Sequence, residues 1–188
     1  FMAVATGSGA VAISPDGVNW TSQALLSGIS WASICYGNGL FVAISNGPSS
    51  IFATSADGLD WNLSPLPGGA NWRDITYGNG TFVMVSGNSM SGGSTLAATS
   101  EDGFTWTLQA LPASMMWKTV CYGEDMFVAL ASNSSQIAAS SPDGVNWAQR
   151  SLPAAANWRS VDYGNGIFVA ISDSNSSLVA VSTDGLTW

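Results

Sequence analysis

The chain has 188 residues, of which 46% are hydrophobic and only 9% charged, with a net charge of −8 and no histidine. Its four cations, Arg73, Lys118, Arg150 and Arg159, are too few to neutralise a phosphate backbone, so nucleic acid is not an expected partner. The absence of histidine excludes Ser-His-Asp and Cys-His chemistry and histidine-ligated metals, and no apolar run approaches the roughly 18 residues that would insert into a membrane.

Reading from the start, Phe1-Met-Ala-Val4 is a short apolar run, and Ser14-Pro-Asp-Gly-Val-Asn-Trp20 introduces the pattern Ser-x-Asp-Gly-x-x-Trp. The pattern returns at Ser55 to Trp61, Ser100 to Trp106, Ser141 to Trp147 and Ser182 to Trp188. Its serines are 41, 45, 41 and 41 residues apart, the period of one repeated supersecondary unit. Five repeats are visible, with approximate bounds 1–30, 31–70, 71–116, 117–156 and 157–188.

The third unit shows the order of elements. Trp72-Arg-Asp-Ile-Thr-Tyr77 alternates in character and runs into Gly78-Asn79-Gly80, a hairpin turn. Phe82-Val-Met-Val85 is too short for a helix and reads as a strand buried on both faces. A Ser/Gly/Asn loop leads to Leu96-Ala-Ala-Thr-Ser100, and Asp102-Gly103 turns the chain into Phe104 to Leu108. These four antiparallel strands are called a to d. Units of this size repeated about an axis predict an all-β protein, a β-propeller of four-stranded antiparallel blades. Each motif Trp precedes the next strand-a Trp by 11 residues, and a buried indole contributes up to about 4 to 6 kcal/mol, so the nine tryptophans are expected to hold the blades together.

The first and last repeats are incomplete. Phe1 to Val4 aligns with strand b, and Trp188 falls inside strand d, so the first strand a and the rest of the last strand d are not in the sequence. The reading is an excerpt of a five-bladed or larger ring, with open edges that invite self-association. Cys35 and Cys121 stand in equivalent slots two repeats apart, beyond bridging distance, and are expected as buried free thiols.

The Ser-x-Asp-Gly-x-x-Trp motif resembles the Asp-box, or bacterial neuraminidase repeat, of sialidases and sortilin-type receptors. It lacks the residue that usually separates Asp from Gly. With its Tyr-Gly-Asn-Gly-x-Phe-Val-Ala segment, the unit is more similar to propeller repeats of bacterial surface proteins and phage tail or adsorption proteins. The resemblance implies that Asp16, Asp57, Asp102, Asp143 and Asp184 are structural, accepting backbone N–H groups in their own turns, rather than acids or calcium ligands.

In an up-and-down blade the constant a–b and c–d turns share one rim. The variable loops share the other: Ser45 to Ser50, Ser86 to Thr95, Ala131 to Gln136 and Ser172 to Ser177 between b and c, and Pro65 to Asn71, Pro112 to Met116 and Pro153 to Asn157 between d and a. Arg73, Lys118 and Arg159 each follow the strand-a Trp in three successive blades, placing an anion-binding arc near this variable rim. The candidate ligand contacts are Asn71, Arg73, Lys118, Asn157 and Arg159, with the loop Gly87 to Gly93.

A sialidase-like glycoside hydrolase would need a Tyr nucleophile with an adjacent Glu and a separate acid beside such an arc, whereas Glu101 and Glu124 fall in constant-rim turns. The expected function is therefore a non-catalytic recognition or structural propeller, extracellular, at a cell surface or on a virion, with a glycan or surface protein as partner and no cofactor or metal. The low charge, well below the roughly 25% of typical domains, fits a surface wetted by Ser, Asn and Thr. A purely architectural module of a fibre or surface protein is the other reading.

Overall fold

The computed structural model describes residues 1–5, 9–24, 29–46, 51–88, 92–173 and 177–188. Among them there is no helix, and five antiparallel sheets follow one another along the chain. Blade one holds β1 (Met2–Val4), β2 (Ala10–Ile13) and β3 (Thr21–Ala24). Blade two holds β4 (Trp31–Gly37), β5 (Leu40–Ser45), β6 (Ile51–Ser55) and β7 (Asn62–Pro65). Blade three follows with β8 (Trp72–Gly78), β9 (Thr81–Ser86), β10 (Ser94–Ser100) and β11 (Thr107–Met115). Blade four has β12 (Trp117–Gly123), β13 (Met126–Ala131), β14 (Ser135–Ser141) and β15 (Ala148–Ala156), and blade five β16 (Trp158–Gly164), β17 (Ile167–Ser172) and β18 (Val179–Ser182). Sheet order equals chain order throughout, with four strands in the three middle blades and three in the outer two. The protein is a β-propeller.

The hairpins follow from their turn residues. Asn38-Gly39, Asn79-Gly80 and Asn165-Gly166 all have positive φ, between 47° and 82°, as a two-residue turn joining twisted strands requires. Blade four makes the same turn with Glu124 and Asp125, also at positive φ. Strand b is the most buried element, with Phe82, Val83, Met84 and Val85 all inaccessible to solvent.

Each apolar cluster bridges two neighbouring blades. Val83, Val85 and Ala97 of blade three, for example, pack with Trp117, Phe127, Ala129 and Ala139 of blade four. The four strand-a indoles, Trp31, Trp72, Trp117 and Trp158, are fully buried in these junctions. The motif indoles contribute less than expected: Trp61, Trp106, Trp147 and Trp188 are half-buried, and Trp20 is exposed.

Two expectations are corrected. Strand d starts at Thr107 rather than Phe104, because Asp102 Oδ1 accepts the N–H groups of Phe104 and Thr105 at 2.8 and 2.7 Å and withholds them from the ladder. Pro112 to Met115 and Pro153 to Ala156 are not loops but belong to β11 and β15, which pair back to Ser94 and Ser135 through irregular registers.

Candidate functional site

Strand a carries the same irregularity in every complete hairpin: its register against strand b shifts between Trp31 and Ser33, Trp72 and Asp74, Trp117 and Thr119, and Trp158 and Ser160. The extra residue of each bulge is Ala32, Arg73, Lys118 or Arg159. A bulge frees one side chain from the alternation of the strand and re-aims it, here toward the propeller axis. Arg73, Lys118 and Arg159 accordingly line one open cavity of about 250 Å³ with Ala32, Asp74, Thr119 and Ser160.

The three cations are close enough to repel one another. Burial, then Arg159 and then Arg73, hold the Lys118 amine below its ordinary range, and Asp74 only partly compensates. Arg73 Nε donates to the Gly87 carbonyl at 3.0 Å, which fastens it to the b–c loop of its own blade. Lys118 and Arg159 make no hydrogen bond or ion pair among the described residues.

Asp74 is the floor of the cavity. Its Oδ1 accepts from Ser33 Oγ at 2.7 Å and from the Ile75 N–H at 3.0 Å, and its Oδ2 from the Val120 N–H at 2.9 Å. One carboxylate therefore ties three inner strands together. Desolvation still pushes its carboxyl above the usual range, against the pull of these bonds. Thr119 makes a similar tie to the following blade, its Oγ1 accepting the Val161 N–H at 3.4 Å.

The two asparagines occupy the slot before the strand-a Trp. The backbone carbonyl of each accepts from the start of the b–c loop, Asn71 from Gly87 at 3.0 Å and Asn157 from Asp173 at 2.9 Å. Asn157 Oδ1 also accepts the Ser134 N–H at 2.8 Å, bracing the loop of blade four. A cleft of about 90 Å³ between Asn88, Gly92, Met115 and Asn133 opens on the same rim. Residues 89–91 of the blade-three loop, and 47–50 and 174–176 of the others, lie outside the described residues.

The opposite rim gathers the motif turns. In all five copies the Ser Oγ donates to Asp Oδ1 at 2.9 to 3.0 Å and accepts the Gly N–H at 2.8 to 2.9 Å. The same Asp Oδ1 accepts two further backbone N–H groups, as Asp16 does from Val18 and Asn19. Asp102 is held down at about 2 by such bonds, those from Thr105 and Phe104 being the strongest. Among the described residues no group of three or more Cys, Asp or Glu side chains is arranged to hold a metal ion.

One pair escaped sequence reasoning. Tyr163 Oη donates to Glu124 Oε2 of the preceding blade at 2.6 Å. It lies at the far end of strand a, four residues or about 13 Å along the strand from Arg159, and the Glu124 carboxylate raises the phenol above its ordinary value of 10.0. Both thiols are free, Cys121 buried and Cys35 half-buried, and desolvation pushes each far above the ordinary thiol value.

No protein-family model matches the sequence, and no curated protein matches it either. Solved structures do resemble it in fold. YCF48 bound to D1 peptide superposes with a TM-score of 0.63 at 14% identity over 96% of this chain, and YCF48 from Cyanidioschyzon merolae with 0.60 at 15% identity over 96%. The computationally designed Ika4 protein gives 0.58 at 8% identity over 84% of this chain and 92% of its own. The chain spans 62% of the first YCF48 structure and 70% of the second. At these identities the likeness concerns architecture, and it agrees with the sheet order: the chain has the β-propeller fold.

Proposed function

We propose that this chain is a non-catalytic recognition propeller that binds an acidic group of a protein or glycan at the cationic mouth of its axis. The observation that carries the reading is the convergence of three bulge residues from successive blades, Arg73, Lys118 and Arg159, on one cavity, two of them without a partner among the described residues. Burial first, and then the charges of Arg159 and Arg73, disfavour the Lys118 ammonium, and an anionic ligand offsets both. Arg73, braced by Gly87, offers a planar guanidinium at a set angle, while Lys118 and Arg159 supply charge that can adjust.

Protein is the favoured class of ligand. YCF48, a neighbour in fold, has been solved with a D1 peptide, so a propeller of this shape accommodates a peptide. A glycan carrying a carboxylate would use the same cations. The low charge of the rest of the surface supports an extracellular, cell-surface or virion setting.

Binding to an acidic-peptide library and to a glycan array tests the reading. Arg73→Ala and Arg159→Ala should each weaken capture of carboxylate-bearing ligands, and added salt should weaken it further, since the screening length is about 8 Å at physiological ionic strength. Binding indifferent to both substitutions would remove the arc from the site.

A further inference from the structure

The bulge after each strand-a Trp presents one side chain per blade to the mouth of the axis, so blades two to five offer four slots in succession: Ala32, Arg73, Lys118 and Arg159. Three of the slots are cationic and the remaining one is a methyl group. The mouth is therefore lopsided, with positive charge on three blades and a half-buried alanine on the blade beside them.

The cavity that these residues share has a volume of about 250 Å³, below the roughly 300 to 1,000 Å³ of pockets that enclose a whole small ligand. It suits the end group of a larger ligand, whose body stays outside. Asp74, Thr119 and Ser160 complete the lining. Asp74 is its one acid, and both its carboxylate oxygens are turned to the scaffold, where they accept from Ser33, Ile75 and Val120.

The four slots discriminate among anions. A carboxylate has two oxygens and a single charge, which leaves one of three cations unmatched. A phosphomonoester carries about −1.5 to −2 charge at pH 7 on three terminal oxygens, and its fourth substituent is an uncharged ester oxygen that leads to carbon. A phosphodiester has only two terminal oxygens and needs two uncharged slots.

We infer, on the reading that this mouth is the binding site, that it takes the phosphoryl group of a phosphorylated serine or threonine in a partner protein. The three terminal oxygens meet Arg73, Lys118 and Arg159, in the way that clusters of basic side chains recognise phosphorylated segments. The ester carbon leaves past Ala32, where a fourth long cation would stand in its way. A lining that is otherwise polar suits a short aliphatic ester better than the ring of phosphotyrosine.

Three capped alanine pentapeptides, centred on phosphoserine, glutamate or serine, test the assignment when titrated into the chain at fixed ionic strength and followed by NMR. The phosphoserine form should bind at least about tenfold more tightly than the glutamate form. Lys118→Met should remove most of that preference. Ala32→Arg should weaken the phosphoserine peptide by about tenfold and strengthen binding of inorganic phosphate, whose fourth oxygen replaces the ester. Three other blades already hold a long cation at this position, so the fold should accommodate the change, which thermal unfolding checks. Equal affinity for the phosphoserine and glutamate peptides would overturn the inference and leave the acidic-ligand reading standing, whereas binding of neither would remove both. Tighter binding of the phosphoserine peptide by Ala32→Arg would overturn the place given to the ester, and tighter binding of glucose 6-phosphate than of the peptide would overturn the assignment to a protein.

Discussion

Gly78 lies against the ring of Tyr122 in the next blade so closely that a Cβ on the glycine would overlap Cγ of the phenol. The same contact joins Gly37 to Tyr77 and Gly123 to Tyr163. The Tyr-Gly dipeptide closing each strand a is thus a knob and a hole: the ring of one blade fills the space left by the missing side chain of the blade before. The ends of the series are open, with nothing within 4 Å of a Cβ on Gly164 and Tyr36 58% exposed.

Gly78→Ala must therefore displace a ring wedged between blades, and overpacking of this kind costs about 1 to 3 kcal/mol. Gly164→Ala, the same change at the open end, should stay within about 0.5 kcal/mol of wild type. Urea denaturation of the two variants distinguishes them. Equal losses would mean that both glycines serve the turn alone.

Lys118 yields a prediction with opposite signs for stability and binding. Its folded pKa lies below the ordinary 10.5, so the folded chain holds fewer protons than the unfolded one between the two values, and stability rises with pH through that window. At neutral pH the penalty is present in full. Lys118→Met should raise the Tm at pH 7, with the advantage narrowing as pH approaches 10.5, while weakening capture of an acidic ligand. A lower Tm at pH 7 would show that the amine has a partner that outweighs the repulsion.

The motif carboxylates have the reverse dependence. Asp102 has a folded value of about 2 against an ordinary 3.8, so its contribution is complete above 3.8 and disappears as pH falls through about 2. Asp102→Asn should lower the Tm at pH 7 and make little difference at pH 2, where the wild-type group is itself becoming neutral. A Tm gap independent of pH would place the effect in the shape of the amide rather than in charge.

Blade count, strand order and the separation of the two rims were legible in the sequence because each rests on local rules, repeated five times: turn residues at fixed spacing, alternation, and one indole per motif. The cationic slot was legible too, since Arg73, Lys118 and Arg159 share a register position. What could not be read was the device that aims them, the bulge after each strand-a Trp, because one extra residue in a strand leaves no compositional mark. Nor could the role of Asp74 be read, since its bonds to Ser33 and Val120 of two other blades are contacts across more than forty residues of chain. The Tyr-Gly contact was hidden by its double meaning, since a glycine before a hairpin is already accounted for by the turn.

Blade four departs from the other hairpins in placing Glu124 and Asp125 where the rest use Asn and Gly, at φ of 46° and 55°. The left-handed region costs an ordinary side chain about 1 to 2 kcal/mol, and the hydrogen bonds these residues accept from Tyr163 and Tyr122 are exposed. Strain should outweigh them. Glu124→Asn with Asp125→Gly is expected to stabilise the protein by about 1 kcal/mol in urea denaturation; a loss of stability would show that the two tyrosine bonds anchor the rim.

The Tyr163–Glu124 pair superficially supplies the Tyr and Glu of a sialidase-like site, and its place on the constant rim separates it from the cationic arc that such a site needs. A carboxylate that accepts from a phenol stabilises the protonated form, and its charge further opposes the phenolate, so Tyr163 becomes a weaker acid in its presence. The arginines that would hold a substrate carboxylate are at the other end of the strand. Glu124→Gln should therefore lower the pH at which Tyr163 ionises, followed by the ultraviolet absorbance of tyrosinate, and neither Glu124→Gln nor Tyr163→Phe should alter ligand capture at the cationic mouth. Hydrolysis of a fluorogenic sialoside by the wild-type chain, abolished in Tyr163→Phe, would reverse this assignment and make the constant rim the reactive one.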